Sequence, residues 1–457
     1  MKKKRVTPKV AVVGAGLTGL TTAYYLKKAG IDVHLFEREN RAGGVIHTLR
    51  ENGFTFETGP NTGVLSHPEA MELLEELSGR CRLEIANQEA KFRWIWKEGR
   101  WHALPSGLMQ GVTTPLFSFT DKLRILLEPF RPKGKNPEER LSELVKRRLG
   151  KSFLDYAVDP FILGIYAGDP AWLVPKYALP KLYNLEQNYG SFIRGTLRKR
   201  SEPKTDRDKK ATREIFSVEG GLENLIHALV AEIGEEHIRL NCSSLTVEKE
   251  SPVSFRLVNE DKVYGGFDKV VTTTGGYELE KLLPFVNREL TGHINRMQYA
   301  RVAQITLGFR RWDGIPLKAF GGLVPFREQR DILGVLFLSS FLKNRAPEGG
   351  ALLSVFAGGL RKPEMALLSD SELREKVARE IKTMMGLKEF APDLLRIQRY
   401  EHAIPQYGPE SAEKLAAIAR IEAENPGLIL AGNIREGIGM ADRIRQGRII
   451  AEQIISG

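Results

Sequence analysis

Three glycines, Gly14, Gly16 and Gly19, followed by a carboxylate at Glu37, have the types and spacing that hold a dinucleotide. The first glycine permits a tight turn. The second lets backbone approach a pyrophosphate, and the third lets a helix pack close to the strand before it. Ala15, Leu17 and Thr18 fill the rest of the turn, where free N–H groups at a helix start would face the phosphates. A carboxylate about twenty residues on accepts hydrogen bonds from ribose hydroxyls. Near the other end, Gly432-Asn433 and Gly437-Ile438-Gly439-Met440 set a second glycine turn before a second helix. A helix start of that kind stabilises negative charge on whatever it faces.

These turns need elements to position them. Val10 to Val13 is a continuous apolar run, as in a buried parallel strand, and feeds the first turn. The pattern predicts a helix from Leu17 to Ala29, stopped by Gly30, and a second strand from Ile31 to Phe36. Leu428 to Ala431 is the strand before the second turn, whose helix runs to Ile454. In between, a Pro68 helix reaches Leu77, and the alternation of Phe92, Trp94, Trp96 and Trp101 predicts a hairpin turning at Gly99. Phe119 to about Lys210 reads as mainly helical. Within it, Arg194 to Arg213 is dense in Lys and Arg and predicts a mobile surface excursion. A helix to about Ile233 precedes strands at Ile238–Leu240, Leu245–Val247 and Lys269–Thr274. Four more are expected at Gln304–Gly308, Gly322–Pro325, Gly334–Leu338 and Leu352–Phe356.

A chain of 457 residues, 42% hydrophobic, is long enough for two or three domains with real cores. Its two cysteines, Cys81 and Cys242, exclude a disulfide framework, fit a reducing compartment, and are expected to be inert buried thiols. No cysteine or histidine spacing suggests a metal site. The net charge of +11 comes without a nucleic-acid motif. It therefore leaves an acidic small molecule, an anionic membrane surface or a merely solvated excess. Met1 to Arg5 runs almost directly into a strand, which is too short for a signal peptide, and no run of about 18 apolar residues occurs. The expected location is the cytoplasm. The basic helical region adds the expectation of peripheral contact with the inner face of the cell membrane.

Glu37-Arg38-Glu39-Asn40-Arg41-Ala42-Gly43-Gly44 resembles the ExxxRxGG extension of the large FAD family that includes amine oxidases and phytoene desaturases. In that resemblance Arg41 neutralises pyrophosphate charge. Gly43, Gly44 and Val45 pass beside the pyrophosphate, and Glu57 to Asn61 with Thr62, including Gly59 and Pro60, runs close to the flavin. The string Phe161 to Pro170, of GxYAGDP form, resembles the protoporphyrinogen oxidases more narrowly. So do Leu185-Glu186-Gln187 with Gly190-Ser191, Ala319 to Pro325, Tyr400 to Tyr407, and the closing GN(x3)GIGM.

The resemblance implies an α/β fold: a doubly wound, Rossmann-like FAD-binding domain, a β-rich substrate domain and an inserted helical domain. It divides the chain into FAD-binding segments 1–90, 211–290 and 401–457, substrate segments 91–118 and 291–400, and a helical, membrane-facing segment 119–210. It implies FAD held by the residues above together with Arg38, Leu245, Tyr400, Gly432, Asn433, Ile438, Gly439 and Met440. Gly164, Tyr166, Ala167, Gly168, Phe320, Leu323, Leu336 and Phe356 would position the substrate. The implied reaction oxidises a porphyrinogen, protoporphyrinogen IX or coproporphyrinogen III, by hydride transfer to flavin, with oxygen as acceptor and a homodimer as an open state. No acid or base is required, and His402 is expected to pack rather than catalyse. Another FAD oxidoreductase, such as an amine oxidase or carotenoid desaturase, and a porphyrin-binding flavoprotein without turnover stay open as alternatives. One departure stands out: Leu104-Pro105-Ser106-Gly107-Leu108 is followed by Met109, where plant and animal members carry an arginine for a propionate, so that contact must come from elsewhere.

Overall fold

The apolar run near the N-terminus forms strand Lys9–Val13, with Val10, Ala11 and Val12 fully buried. In the computed structural model, which describes residues 7–105 and 108–457 without the side chains of residues 108, 109 and 112, this strand is the centre of a five-stranded sheet. Asp32–Phe36 and Lys269–Thr272 flank it, and Ile238–Arg239 and Leu428–Leu430 form the edges. All four pairings are parallel. The sheet therefore draws strands from the beginning, middle and end of the chain. Both faces are covered, as continuous apolar strands require: helices lie on one, and a three-stranded antiparallel sheet (Thr246–Ser251, Ser254–Asn259, Lys262–Phe267) with helices on the other. Leu20, Leu26, Leu225 and Ile444 pack on one side, and Val247, Phe255, Ile294 and Ile418 on the other. The opening helix Leu17–Lys28 and the closing helix Met440–Ser456 touch at Gly447, where a Cβ would lie 2.7 Å from the Thr18 carbonyl oxygen.

A second sheet has seven strands, in the order Leu394–Pro405, Tyr299–Phe309, Ala351–Gly358, Gly334–Phe337, Gly321–Leu323, Arg93–Lys97, Arg100–Ala103. The hairpin turns at Glu98 and Gly99, both at positive φ (51° and 79°), the geometry that suits the twist of a two-residue loop. One face packs Trp96, Ile305, Leu307, Val355 and Phe337 onto helix Asp370–Met385. The other face builds the site described below.

The helical region lies between the two parts of this sheet in sequence. At its centre Arg148, fully buried, ion-pairs with Glu128 at 2.8 Å and Glu186 at 2.7 Å. The predicted excursion at Arg194–Arg213 is instead helix Phe192–Ser201 followed by the short helix Asp206–Lys209. Arg207 pairs with Glu69 (3.0 Å) and Glu72 (2.9 Å), and Lys210 pairs with Glu75. These carboxylates lie on or beside the exposed side of helix Pro68–Glu76, so a cationic run that reads as solvated is docked by partners far away in sequence. Met1 to Arg5, and the Met109 side chain with Ser106 and Gly107, lie outside the described residues. No helix among the described residues is long and apolar enough to cross a membrane.

Candidate flavin and substrate site

The two glycine turns meet along the C-terminal edge of the parallel sheet, where open α/β sheets bind ligands. Gly14 has φ +99°, and a Cβ on Gly19 would stand 2.0 Å from the Gly14 carbonyl oxygen, so strand and helix are closer than any other residue permits. Gly16 is the opposite case: no atom lies within 4 Å of where its Cβ would be. It caps the opening helix without a side-chain hydrogen bond, which leaves N–H groups of the first turn uncommitted. Gly43 and Gly44, at φ +110° and +58°, bring a second turn to within 3.3 Å of the Gly16 Cα, as measured from the ideal Cβ of Gly44. Val45 is 59% exposed. Open space bounded by glycine backbone and free donors fits a pyrophosphate. Glu37 is buried, and its carboxylate is fixed at this turn by the N–H groups of Ala15 (2.7 Å) and Glu39 (3.0 Å).

Neighbouring residues refine the expectations. Arg41 donates to the carbonyls of Ala42 (3.3 Å), Gly44 (2.8 Å) and Ile46 (2.9 Å). Its guanidinium braces the turn. Arg38 pairs outward with Glu39 (3.1 Å) and Glu278 (3.0 Å) at the rim. Gly59 must be glycine, since its Cβ would fall 1.9 Å from the Val45 carbonyl oxygen; Pro60, Asn61 and Thr62 continue that loop, Asn61 buried with Oδ1 unpartnered. Leu245 is buried with Val13 and Phe36 at the strand ends, and Thr18 is buried with its hydroxyl unpartnered. Beyond the last strand, the Gly432 N–H donates to Gln446 Oε1 at 2.8 Å. The Tyr407 hydroxyl lies 2.8 Å from the Asn433 carbonyl and 3.0 Å from that of Gly437. Gly439 caps the closing helix, Ile438 packs against the helical region, and Met440 enters the core.

Strand register defines the substrate side. Across the seven-stranded sheet, Arg93, Gly321, Leu336, Ser354 and Thr306 oppose one another in one row. Ile95, Leu323, Gly334, Phe356 and Gln304 form the next. Opposed residues in a ladder point to the same face. Leu323, Leu336 and Phe356 therefore share one surface, with Tyr400 on the same side beside Val302. Burial pushes the Tyr400 phenol up to about 12, against the effect of its hydrogen bond with Thr58 on the flavin loop. Gln304 Nε2 donates to the Glu57 carbonyl at 3.0 Å, which ties the sheet to that loop.

Arg93 is the residue that sequence reasoning missed. It is half-buried, its guanidinium lies 5.4 Å from the centre of the Phe320 ring, and burial alone holds its pKa below the ordinary value. Among the described residues no carboxylate pairs with it. The available signal was alternation: Arg93 and Ile95 must face away from Trp94 and Trp96, so a cation stands on the face opposite the tryptophan core.

The GxYAGDP segment divides in a way the sequence did not show. Gly164, on helix Asp159–Tyr166, meets the sheet face, where its Cβ would come within 2.5 Å of Leu323 Cδ2. Tyr166 is buried and its hydroxyl donates to the Ala178 carbonyl at 2.6 Å, which anchors the helix. Ala167 takes the left-handed conformation at φ 46°, the cap role expected of a glycine, and its carbonyl accepts from the Leu360 N–H at 2.7 Å. Gly168 packs against Gln406, with its Cβ position 2.4 Å from Oε1. Ala167 and Gly168 are thus knitted into protein rather than open to a ligand. His402 is exposed and stacks on Tyr277 with ring centres 3.9 Å apart, a packing role. Asp32, His34 and His237 are the one group of potential metal ligands among the described residues. Lys27 Nζ already lies 2.5 Å from His237 Nε2, and Asp32 opens its strand at the end remote from the glycine turn.

Residues 17–455 match the family described as flavin containing amine oxidoreductase. The chain is 32% identical to a mitochondrial protoporphyrinogen oxidase of Nicotiana tabacum, covering 98% of this chain and 95% of that one. It is 24% identical to a coproporphyrinogen III oxidase of Bacillus subtilis, covering 96% of each. A solved structure from Exiguobacterium sp. superposes with a TM-score of 0.82 at 24% identity, covering 99% of both chains, which shows the shared fold. The family and the cradle agree on the cofactor, which is FAD. With two flavin turns on one sheet edge and near full-length similarity on both counts, the chain belongs to the protoporphyrinogen oxidase family of the flavin containing amine oxidoreductases.

Proposed function

We propose that this chain oxidises a porphyrinogen to the porphyrin, with molecular oxygen as the final acceptor. One observation carries the reading: Leu323, Leu336 and Phe356 form an apolar sheet face edged by an unpaired cation, Arg93. A porphyrinogen is a broad apolar macrocycle with carboxylates on its rim, and an apolar clamp with few polar groups suits it. Bound FAD supplies the hydride acceptor. The chain's own residues hold the macrocycle against it: the sheet face supports the ring, Arg93 takes a propionate, and Gly164 lets the helical region close over it. Three bridging carbons each lose a hydride in turn, and three protons pass to solvent, two from pyrrole nitrogens and one, by way of tautomerisation, from the fourth bridging carbon, so no side chain need act as acid or base. We assign segments 1–90, 211–290 and 401–457 to the FAD-binding domain, 91–118 and 291–400 to the substrate domain, and 119–210 to the helical domain. A homodimer belongs to the same reading and is tested by the mass of the protein in solution.

The test is anaerobic mixing with protoporphyrinogen IX and, separately, coproporphyrinogen III. At least one should bleach the flavin, and air should restore it as porphyrin fluorescence rises. The faster of the two identifies the preferred substrate. An intact bound flavin that neither bleaches would end the porphyrinogen reading.

We further propose that the helical region rests on an anionic membrane surface. Phe119 (73% exposed), Leu126, Leu127 and Phe130 (77% exposed) project from helix Phe119–Leu126 and the turn after it. The Arg194 guanidinium lies 5.5 Å from the centre of the Phe130 ring, which joins this patch to Leu197 and the cations of helix Phe192–Ser201. Each such side chain contributes about 1.5–3 kcal/mol when fully buried. The double substitution Phe130→Ser, Leu126→Ser should therefore weaken sedimentation with phosphatidylglycerol vesicles more than tenfold. Wild-type protein that stays in the supernatant at low salt would rule the contact out.

A further inference from the structure

We propose that Lys414 is a positioning residue of the flavin site, a buried cation that braces the Asn433–Gly437 loop through Tyr407. Lys414 lies on helix Ser411–Glu424 and is fully buried. Its ammonium touches Met297 Sδ at 3.1 Å and stands 4.4 Å from the centre of the Tyr407 ring. No carboxylate among the described residues forms an ion pair with it. An uncompensated buried charge destabilises a fold, and a methionine or leucine would fill the same space, so stability does not account for a lysine here.

What it touches does account for it. Tyr407 is buried, and its hydroxyl bridges the carbonyls of Asn433 and Gly437, the two ends of the turn before the closing helix. A cation over the ring polarises the phenol and strengthens its hydroxyl as a donor. Lys414 therefore fixes the turn that aims the start of helix Met440–Ser456 at the cofactor, and it adds positive charge behind that turn.

The surrounding charges are few. At the N-cap of its helix the carboxylate acting on Lys414 is Glu410, four residues earlier, and burial pulls the lysine down to about 8. From the segment after helix Arg288–Asn295 it meets only the Met297 thioether. Across Tyr407 the closing helix contributes Arg443 and Asp442, and helix Asp159–Tyr166 contributes Tyr166. Asp442 is already held by His67 at 3.0 Å and by the Gly439 N–H at 2.9 Å.

The inference rests on FAD occupying this site and not on which substrate is oxidised, so its test uses no porphyrinogen. Holoprotein with Lys414→Met or Lys414→Arg is compared with wild type for FAD dissociation and flavin midpoint potential between pH 6.5 and 9.5. Wild type should lose FAD affinity as pH rises through about 8, and its potential should fall there more steeply than the flavin's own proton uptake requires. Lys414→Met should bind FAD about tenfold more weakly at pH 7, with a more negative potential and no step near pH 8. Lys414→Arg should keep the affinity and also lack the step. If the methionine variant does not fold, the wild-type titration and the arginine variant still decide. A wild-type affinity that is flat across pH 8 with a potential that falls no more steeply than that of Lys414→Met, or a methionine variant that keeps the step, would overturn the proposal.

Discussion

Replacing Arg93 with leucine should raise KM for the porphyrinogen by about 10- to 100-fold while the flavin spectrum stays unchanged. A hydrogen bond to a charged group contributes about 1.5–3 kcal/mol, and each 1.4 kcal/mol is tenfold. Among the described residues Arg93 has no carboxylate partner, so leucine removes a half-buried, uncompensated charge and leaves no orphaned carboxylate behind. Thermal stability of the ligand-free protein should therefore hold or rise. Lysine keeps the charge but loses the planar fork and its stacking over Phe320, and should fall between the two. The propionate itself can be tested by esterifying the substrate. The methyl ester should bind wild type as poorly as the free acid binds Arg93→Leu, and esterification should make little further difference to the variant. If the two effects simply add, the contact is with something other than this carboxylate.

Two glycines three residues apart in the turn, Gly16 and Gly19, should fail in different ways. Gly16→Val should give folded but colourless protein. Gly16 has ordinary extended backbone, φ −75°, and open space where a side chain would go, so the fold tolerates valine while the pyrophosphate cradle is filled. Gly19→Ala should give little soluble protein. Its new methyl would meet the Gly14 carbonyl at 2.0 Å, backbone against backbone, with no side chain able to swing aside. Purification yield, circular dichroism and absorbance in the flavin band separate the outcomes. Yellow Gly16→Val protein would mean that the phosphates lie elsewhere. A well-folded Gly19→Ala would mean that helix and strand are less tightly held than described.

Much of this was readable from the chain because its signals are local. Gly14 to Gly19 carries its own strand, helix and acid, and Gly437 to Met440 announces a helix start. Gly99 signals its turn by its ease at positive φ, whereas Glu98 takes positive φ because the turn requires it. What stayed hidden depends on pairing across long stretches of chain. Arg93 looks like any exposed strand cation until the sheet brings it beside Gly321 and under Phe320. Arg207 and Lys210 look solvated until Glu69, Glu72 and Glu75 arrive from another helix. Arg41 sits in a motif that names its position, but its three carbonyl partners are set by the path of the turn. Tyr166 shows the reverse limit: a residue inside a specific motif can serve the helix it sits on, which only the bond from its hydroxyl to Ala178 reveals.

The order of strands in the parallel sheet also bears on how the protein is made. Its centre, Lys9–Val13, leaves the ribosome first, while an edge strand, Leu428–Leu430, and the helix that packs at Gly447 leave last. At about 5–20 residues per second, the opening motif waits roughly 20–90 s for its closing half. Throughout that interval the part of the opening helix that meets Gly447 has no partner, and FAD has only one of its two turns to hold. Capture of FAD by both turns must therefore wait for the closing helix, and FAD supply should govern how much newly made chain reaches the soluble state.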